Sequence, residues 1–251
     1  MPSPETAPLL ALETSGREMS VALWDSKGLR AEQRVRDGAR HGTALAVLVQ
    51  DLLKTGGLVP TALSAVAVSL GPGSWTGLRI GLAAGKALAW GARIGLVGVP
   101  SFEALALAAS RRSSRGPSPP AILTVRNAYS EGFFVGLFRE TDGQPQRLME
   151  ECVLRAEDLV PRVREGLAKS GVQETILCGE AVCLERLRVL AEGAGWRVRD
   201  GFEEVPAAVL AERAWVRMAQ GGVWRAAAEI HSVRPLYLRA SDPELKLQRR
   251  T

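Results

Sequence analysis

Short apolar runs and longer helical periods alternate along this chain in an order that occurs twice. Residues 9–15 and 20–24 are short apolar runs. After the turn Asp25-Ser26-Lys27-Gly28, residues 29–36 alternate apolar with polar. Such runs, bounded by turn residues, predict three consecutive strands joined as hairpins. Residues 43–54 then carry a helical pattern, residues 64–70 an apolar strand and residues 76–90 a second helix. From residue 121 the order repeats. Strands are predicted over 121–125, 133–139 and 147–154, with a turn at Thr141-Asp142-Gly143. Residues 161–169 fall in a helix, and a strand over 175–178 and a helix over 181–192 follow. A repeat interval of about 110 residues is too long for a solenoid and fits a duplicated domain. Residues 110–120 (SRRSSRGPSPP) read as a polar, Pro-rich connector. A final helix over 206–220 has no counterpart in the repeat and is expected to fold back on the first lobe.

The expected architecture is therefore α/β, with two lobes that each hold a mixed sheet and flanking helices. Residues 1–109 form the first lobe, completed by 206–251; residues 110–120 connect it to a second lobe over 121–205. Strand-strand-strand-helix-strand-helix, occurring twice, resembles the layout of the actin-like, sugar-kinase-like and Hsp70-like ATPases, an RNase H-like fold. In that superfamily the turn after each lobe's first strand approaches nucleotide phosphates with Asp and Gly. The first-lobe turn here reads Glu13-Thr14-Ser15-Gly16, and its counterpart, Arg126-Asn127-Ala128, has neither an acid nor a Gly. The resemblance implies a degenerate phosphate loop, and no cofactor is expected.

Composition narrows the class. The chain has 251 residues, 46% hydrophobic and 24% charged, enough for a sizeable core. That excludes a mainly disordered chain, a collagen-like fibre and a disulfide-stapled mini-protein. Arg79, Lys86 and Arg93 interrupt the longest candidate for the ~20 apolar residues of a membrane span. No basic cluster precedes Leu9, so cytoplasm is the expected location and no membrane partner is expected. Cys152, Cys178 and Cys183 are odd in number and form no CxxC pair, which implies neither a disulfide framework nor a zinc knuckle. The net charge of +5 falls entirely in residues 1–125. It reads as a mildly basic surface rather than the dense stripe of a sequence-reading nucleic-acid binder.

The sharpest local feature runs from Gly71 to Gly81 (GPGSWTGLRIG), after an apolar strand and opening a helix. It misses three catalytic motifs. For a Walker A loop, Gly81 to Gly85-Lys86 is one residue short and Ala87 replaces the hydroxyl. For a dinucleotide fingerprint, Gly77 arrives one residue late. For a nucleophile elbow, Pro72 and Thr76 stand where glycines flank the serine. The segment is either a turn or an anion-binding helix N-terminus. Gly77, Gly81, Gly85 and Ala89 recur every four residues and form one smooth stripe. Interior glycines cost ~1 kcal/mol each relative to alanine, so a close backbone approach must offset them. A partner helix and this lobe's own sheet both satisfy that spacing. No Asp or Glu occurs between Asp51 and Glu103, and the helix over 43–54 has hardly any polar outer stripe. Two adjacent under-charged helices point to a surface covered by a partner chain.

Residues 9–15 (LLALETS), His41 before the first helix and residues 71–89 (GPGSWTGLRIGLAAGKALA) resemble the TsaB family, also called YeaZ. Residues 96–106 (LVGVPSFEALA) and 235–239 (PLYLR) fit as well. The chain departs in Glu13, where the family usually has Asp, in Trp75, where it usually has Phe, and in Gly42-Thr43 after the histidine. The resemblance implies a non-catalytic subunit of the bacterial machinery that makes N6-threonylcarbamoyladenosine at position 37 of ANN-decoding tRNAs. It further implies pairing with a TsaD-like transferase through the two first-lobe helices, a TsaE-like ATPase joining the pair, and tRNA met only through the complex. The implied interface comprises His41, Leu45, Leu48 and Leu52 on the first helix. On the second it comprises Thr76, Gly77, Arg79, Ile80, Gly81, Ala84, Gly85 and Leu88. An isolated chain is expected to form a homodimer through the same face.

A TsaD-like transferase coordinates its metal with a closely spaced histidine pair on a helix. This chain has two histidines, His41 and His231, 190 residues apart, so no metal site is expected. A hydrolase of the glycoprotease type would need a base beside Ser74. A sugar-kinase-like ATP-binding enzyme would need the second phosphate turn. These remain the alternative readings.

Overall fold

In a computed structural model that describes residues 7–36, 41–112, 118–128 and 132–238, the two halves build two sheets of five strands each. In the first, β1 (Leu9–Glu13), β2 (Met19–Asp25) and β3 (Gly28–Val35) are antiparallel neighbours. Then β4 (Ala65–Gly71) joins β1 in parallel and β5 (Gly95–Pro100) joins β4, giving the order β3-β2-β1-β4-β5. The second sheet holds β6 (Ala121–Asn127), β7 (Phe133–Thr141), β8 (Gln144–Leu154), β9 (Thr175–Gly179) and β10 (Arg197–Arg199) in the order β10-β9-β6-β7-β8. With β6 matched to β1 the two orders are the same, and the fold is duplicated. The β2–β3 and β7–β8 turns each use a glycine of positive φ, Gly28 (φ 105°) and Gly143 (φ 72°), where a side chain would strain the backbone.

Strands β1 and β4 are buried at every position, which explains why they read as saturated apolar runs rather than alternating ones. Helices α1 (His41–Thr55) and α2 (Trp75–Ala92) cover one face of the first sheet, with Leu10, Leu12, Val66, Val68 and Leu82 in the core between. Helix α3 (Ser101–Arg111) lies between the sheets. Helices α4 (Ala156–Leu167) and α5 (Ala181–Gly193) close the outer face of the second sheet over Leu123, Leu137, Leu159 and Leu187. Helix α6 (Ala207–Ala219) packs on β1 and β2 with Leu210, Ala211 and Ala214. Its first amides are satisfied by the first sheet: Ala207 N–H donates to Ser20 Oγ (3.1 Å) and Ala208 N–H to Glu32 Oε1 (3.0 Å). Beyond it Trp224 bridges to Leu96, and α7 (Ala227–Ser232) is followed by a bond from Leu236 N–H to Leu70 O at 2.7 Å.

Four of these elements, β5, α3, β10 and α7, lie outside the periodicity reading. Strand β5 and α3 are buried nearly all round, and β10 and α7 are three and six residues long, so none shows a sustained polar and apolar face. Helix α4 contains the predicted stretch up to Leu167 and ends two residues short of 169. It starts at Ala156, with Pro161 inside it, because Glu157 and Asp158 in its first turn favour a helix N-terminus there.

Candidate functional site

The turn after β1 and the loop that opens α2 form one unit. Ser74 caps α2, its Oγ accepting from Gly77 N–H at 3.1 Å, and its own N–H donates to Ser15 O at 2.8 Å. Thr14 Oγ1 donates to Gly77 O at 2.8 Å. Glu13 is buried beneath them, and its Oε1 accepts from Ser15 N–H (2.5 Å) and Ser69 Oγ (3.2 Å). Burial pushes the Glu13 carboxyl above the usual carboxylate range, opposed by its bonds to Ser15 and Ser69 and by the charge of Arg126.

Arg126 reaches this unit from the end of β6, in the other sheet. It is 1% exposed, and its Nη1 donates to Ser15 O (2.8 Å) and Ser15 Oγ (2.9 Å). The second-lobe turn, which looked like a missing half of a phosphate cradle, thus supplies a guanidinium that grips the first-lobe turn. Glu204, between β10 and α6, approaches from outside and accepts from Arg17 N–H at 3.1 Å. Neither residue belongs to a sequence motif. The one available signal for Arg126 was its position in the repeat, in the counterpart of the Glu13–Gly16 turn.

The glycine stripe faces inward. A Cβ at Gly77 or Gly81 would overlap Thr14, and one at Gly85 would overlap Val68. All three are buried against this chain's own sheet, which corrects the expectation that Gly77, Gly81 and Gly85 meet a partner. Leu52 is corrected as well: it points into the core of the first lobe and is 1% exposed. Leu45, 2% exposed, belongs to the same core and also lines the groove between α1 and α2. His41 opens α1, but its side chain lies outside the described residues.

What α1 and α2 turn outward is a second candidate site. Between them runs a groove of about 870 Å³, lined by Ala46, Val49, Leu58, Ile80, Ala84 and Leu88 among others. Gln50 and Lys54 are its polar lining residues. Val59 on its rim is 60% exposed, and Trp90, further along α2, is 71% exposed. Leu48, Ile80, Ala84 and Leu88 are half-buried, while Thr76 and Arg79 are exposed. Arg79 stacks on Trp75 (4.3 Å to the ring centroid) and its Nε donates to Tyr237 Oη at 3.2 Å. The segment that follows α7 is thereby pinned to the start of α2, with the Trp75 and Tyr237 rings 4.3 Å apart.

Chemical groups elsewhere are muted. Burial pushes the thiols of Cys178 and Cys183 up to about 12. Among the described residues no three His, Cys, Asp or Glu side chains gather as a metal site, and no helix is long and apolar enough to cross a membrane.

A family model described as TsaD, tRNA N6-adenosine threonylcarbamoyltransferase, matches residues 35–185. The chain is 28% identical over 200 residues to the tRNA threonylcarbamoyladenosine biosynthesis protein TsaB of Escherichia coli, covering 80% of this chain and 82% of that one. It is 26% identical to the TsaB of Bacillus subtilis, over 95% and 96% of the two chains. In three dimensions it is similar to YeaZ from Pseudomonas aeruginosa, with a TM-score of 0.74 at 22% identity, over 92% of this chain and all of that one. A second Pseudomonas aeruginosa structure, titled as similar to peptidase YEAZ, gives a TM-score of 0.76 at 24% identity, over 93% and 100%. These two likenesses establish the fold.

Proposed function

Because this chain belongs to the TsaB (YeaZ) family, inside the wider TsaD grouping, we propose that it is a non-catalytic subunit of the machinery for N6-threonylcarbamoyladenosine in tRNA. Its task in that reading is to seat a TsaD-like transferase on the outer face of α1 and α2. The observation that carries the proposal is the apolar groove between those helices, with two polar lining residues and exposed apolar groups at its rim. An apolar groove rimmed by exposed apolar side chains is the kind of surface that a partner covers. Ile80, Ala84 and Leu88 are its central contacts, and Leu48, Thr76 and Arg79, which lie outside the groove, extend the contact along the two helices; a TsaE-like ATPase joins the pair, and tRNA meets the assembled complex. Without the transferase, a second copy covers the same face. The supports for a non-catalytic role are the commitment of Ser74 Oγ to capping α2 and of the Glu13–Ser15 turn to internal hydrogen bonds.

Ala87→Glu tests the interface, because Ala87 is exposed and lines the groove. A charge placed there is desolvated on pairing, whereas surface substitutions typically change stability within about 0.5 kcal/mol. Co-expressed with its transferase, the native chain is expected to co-elute in size-exclusion chromatography. The variant is expected to elute apart from it with an unchanged melting temperature. Unaltered co-elution of the variant refutes the assignment.

A further inference from the structure

No acidic residue occurs between Asp51 and Glu103, whereas Lys54, Arg79, Lys86 and Arg93 fall in that span. Three of these cations stand around the outer face of α1 and α2. Lys54 is exposed and lines the groove of about 870 Å³. Lys86 lines a second recess, of about 400 Å³, with Trp90, Ile230 and His231. Ala87 borders both cavities, so they form one continuous surface. Arg79 is exposed and precedes Ile80, which lines the groove. The hydrogen bonds of these cations go to neutral groups. Arg79 Nε donates to Tyr237 Oη (3.2 Å), and Lys86 Nζ donates to the carbonyls of His231 (2.8 Å) and Val233 (2.7 Å). Asp51 on α1 and Glu229 on α7 line neither cavity. Glu229 is occupied with the amides of Arg225 (3.2 Å) and Ala226 (3.0 Å) at the start of its own helix.

An apolar surface rimmed by charges of one sign attracts a partner of the opposite sign and repels a copy of itself. In a two-fold self-pair the same patch faces itself, so the cationic rims of two copies meet. We propose that this face selects its partner by charge: its preferred occupant is an apolar face rimmed by carboxylates, and a second copy of this chain is the disfavoured one. Lys54 and Lys86, one at each cavity, are the cations that discriminate. The inference rests on the reading that a transferase docks on α1 and α2, and it adds the chemistry that the docked surface carries.

Salt separates the two occupants, because screening weakens attraction between unlike charges and repulsion between like ones. From about 50 to about 500 mM NaCl, the affinity of the native chain for its transferase is expected to fall by about tenfold. Over the same range, self-association of the chain alone, followed by sedimentation equilibrium, is expected to tighten. Lys54→Glu is expected to shift the two pairs in opposite directions at low salt. It weakens the transferase pair and strengthens the self-pair, in which the new carboxylate faces a cationic rim. Lys54→Gln, which only removes the charge, should move each in the same direction by less. A transferase affinity that ignores salt overturns the proposal and leaves the docking reading standing. So does a Lys54→Glu variant in which both pairs weaken together, as they would if Lys54 merely supported the fold. A transferase that binds at neither salt concentration overturns the docking reading and this inference with it.

Discussion

Arg126 and Glu13 are the two residues whose surroundings differ most from what their sequence neighbours imply. Each is about 1% exposed, and each keeps one polar atom, Arg126 Nε and Glu13 Oε2, without a hydrogen-bond partner among the described residues. Burial is the largest influence on the Glu13 carboxyl and raises its pKa, as it does for Glu151 and Glu204. A carboxyl whose folded pKa lies above its unfolded value stabilises fully below the unfolded value, and that contribution is lost as pH rises through the folded one. Native stability is therefore expected to fall as pH climbs above the ordinary carboxylate range. Glu13→Gln removes one of the three contributions and should flatten the fall. Urea unfolding at a series of pH values reads this directly, and an equally steep fall in the variant contradicts it.

Helix α2 carries glycines of two kinds, and they respond in opposite directions to a side chain. At Gly81 a Cβ would overlap Thr14. Gly81→Leu should cost about 1–3 kcal/mol or more through overpacking, which outweighs a helix-propensity gain of at most about 1 kcal/mol. At Gly91, exposed near the end of the same helix, a Cβ meets nothing within 4 Å. Gly91→Ala should stabilise by about 0.5–1 kcal/mol. Thermal melts of the two variants beside the native chain check both signs, and a stable, well-folded Gly81→Leu protein would return the stripe to the surface. The four-residue spacing was legible in the sequence and correctly demanded a close approach. Which backbone approaches was not legible, because the spacing constrains only the glycine side of the contact.

Across the whole molecule, Glu103 ties the parts together. From α3 its carboxylate accepts hydrogen bonds from Arg147 on β8 (3.3 Å) and from Arg213 (3.1 Å) and Arg217 (3.0 Å) on α6. The knot joins the middle layer to the second sheet and to the helix that packs on the first. Glu103 and Arg213 are both about nine-tenths buried. Truncating the acid leaves Arg213 without its carboxylate partner. Glu103→Ala is therefore expected to destabilise by about 3 kcal/mol, measured as a shift of the denaturation midpoint. A change within about 0.5 kcal/mol would mean that the ion pairs contribute nothing net.

Local patterning by itself determined most of the elements. The turns at Asp25–Gly28 and Thr141–Gly143, the saturated runs that became β1, β4, β6 and β9, and the repeated element order each depend on residues a few positions apart. The duplication follows from that order alone, and the Gly71–Ala89 segment carried the family resemblance. Strand β5 and α3 were lost from that reading because burial on all sides erases the contrast between faces that periodicity detects. Only the tertiary structure decided what the turn after β1 touches. Arg126 lies 111 residues from Ser15, and Glu204 lies 187 residues from Arg17. No spacing rule links such pairs; they meet because two stacked lobes bring the carboxyl ends of β1 and β6 to the same cleft. The same layering turned one face of α2 onto its own sheet and left the other facing solvent beside α1.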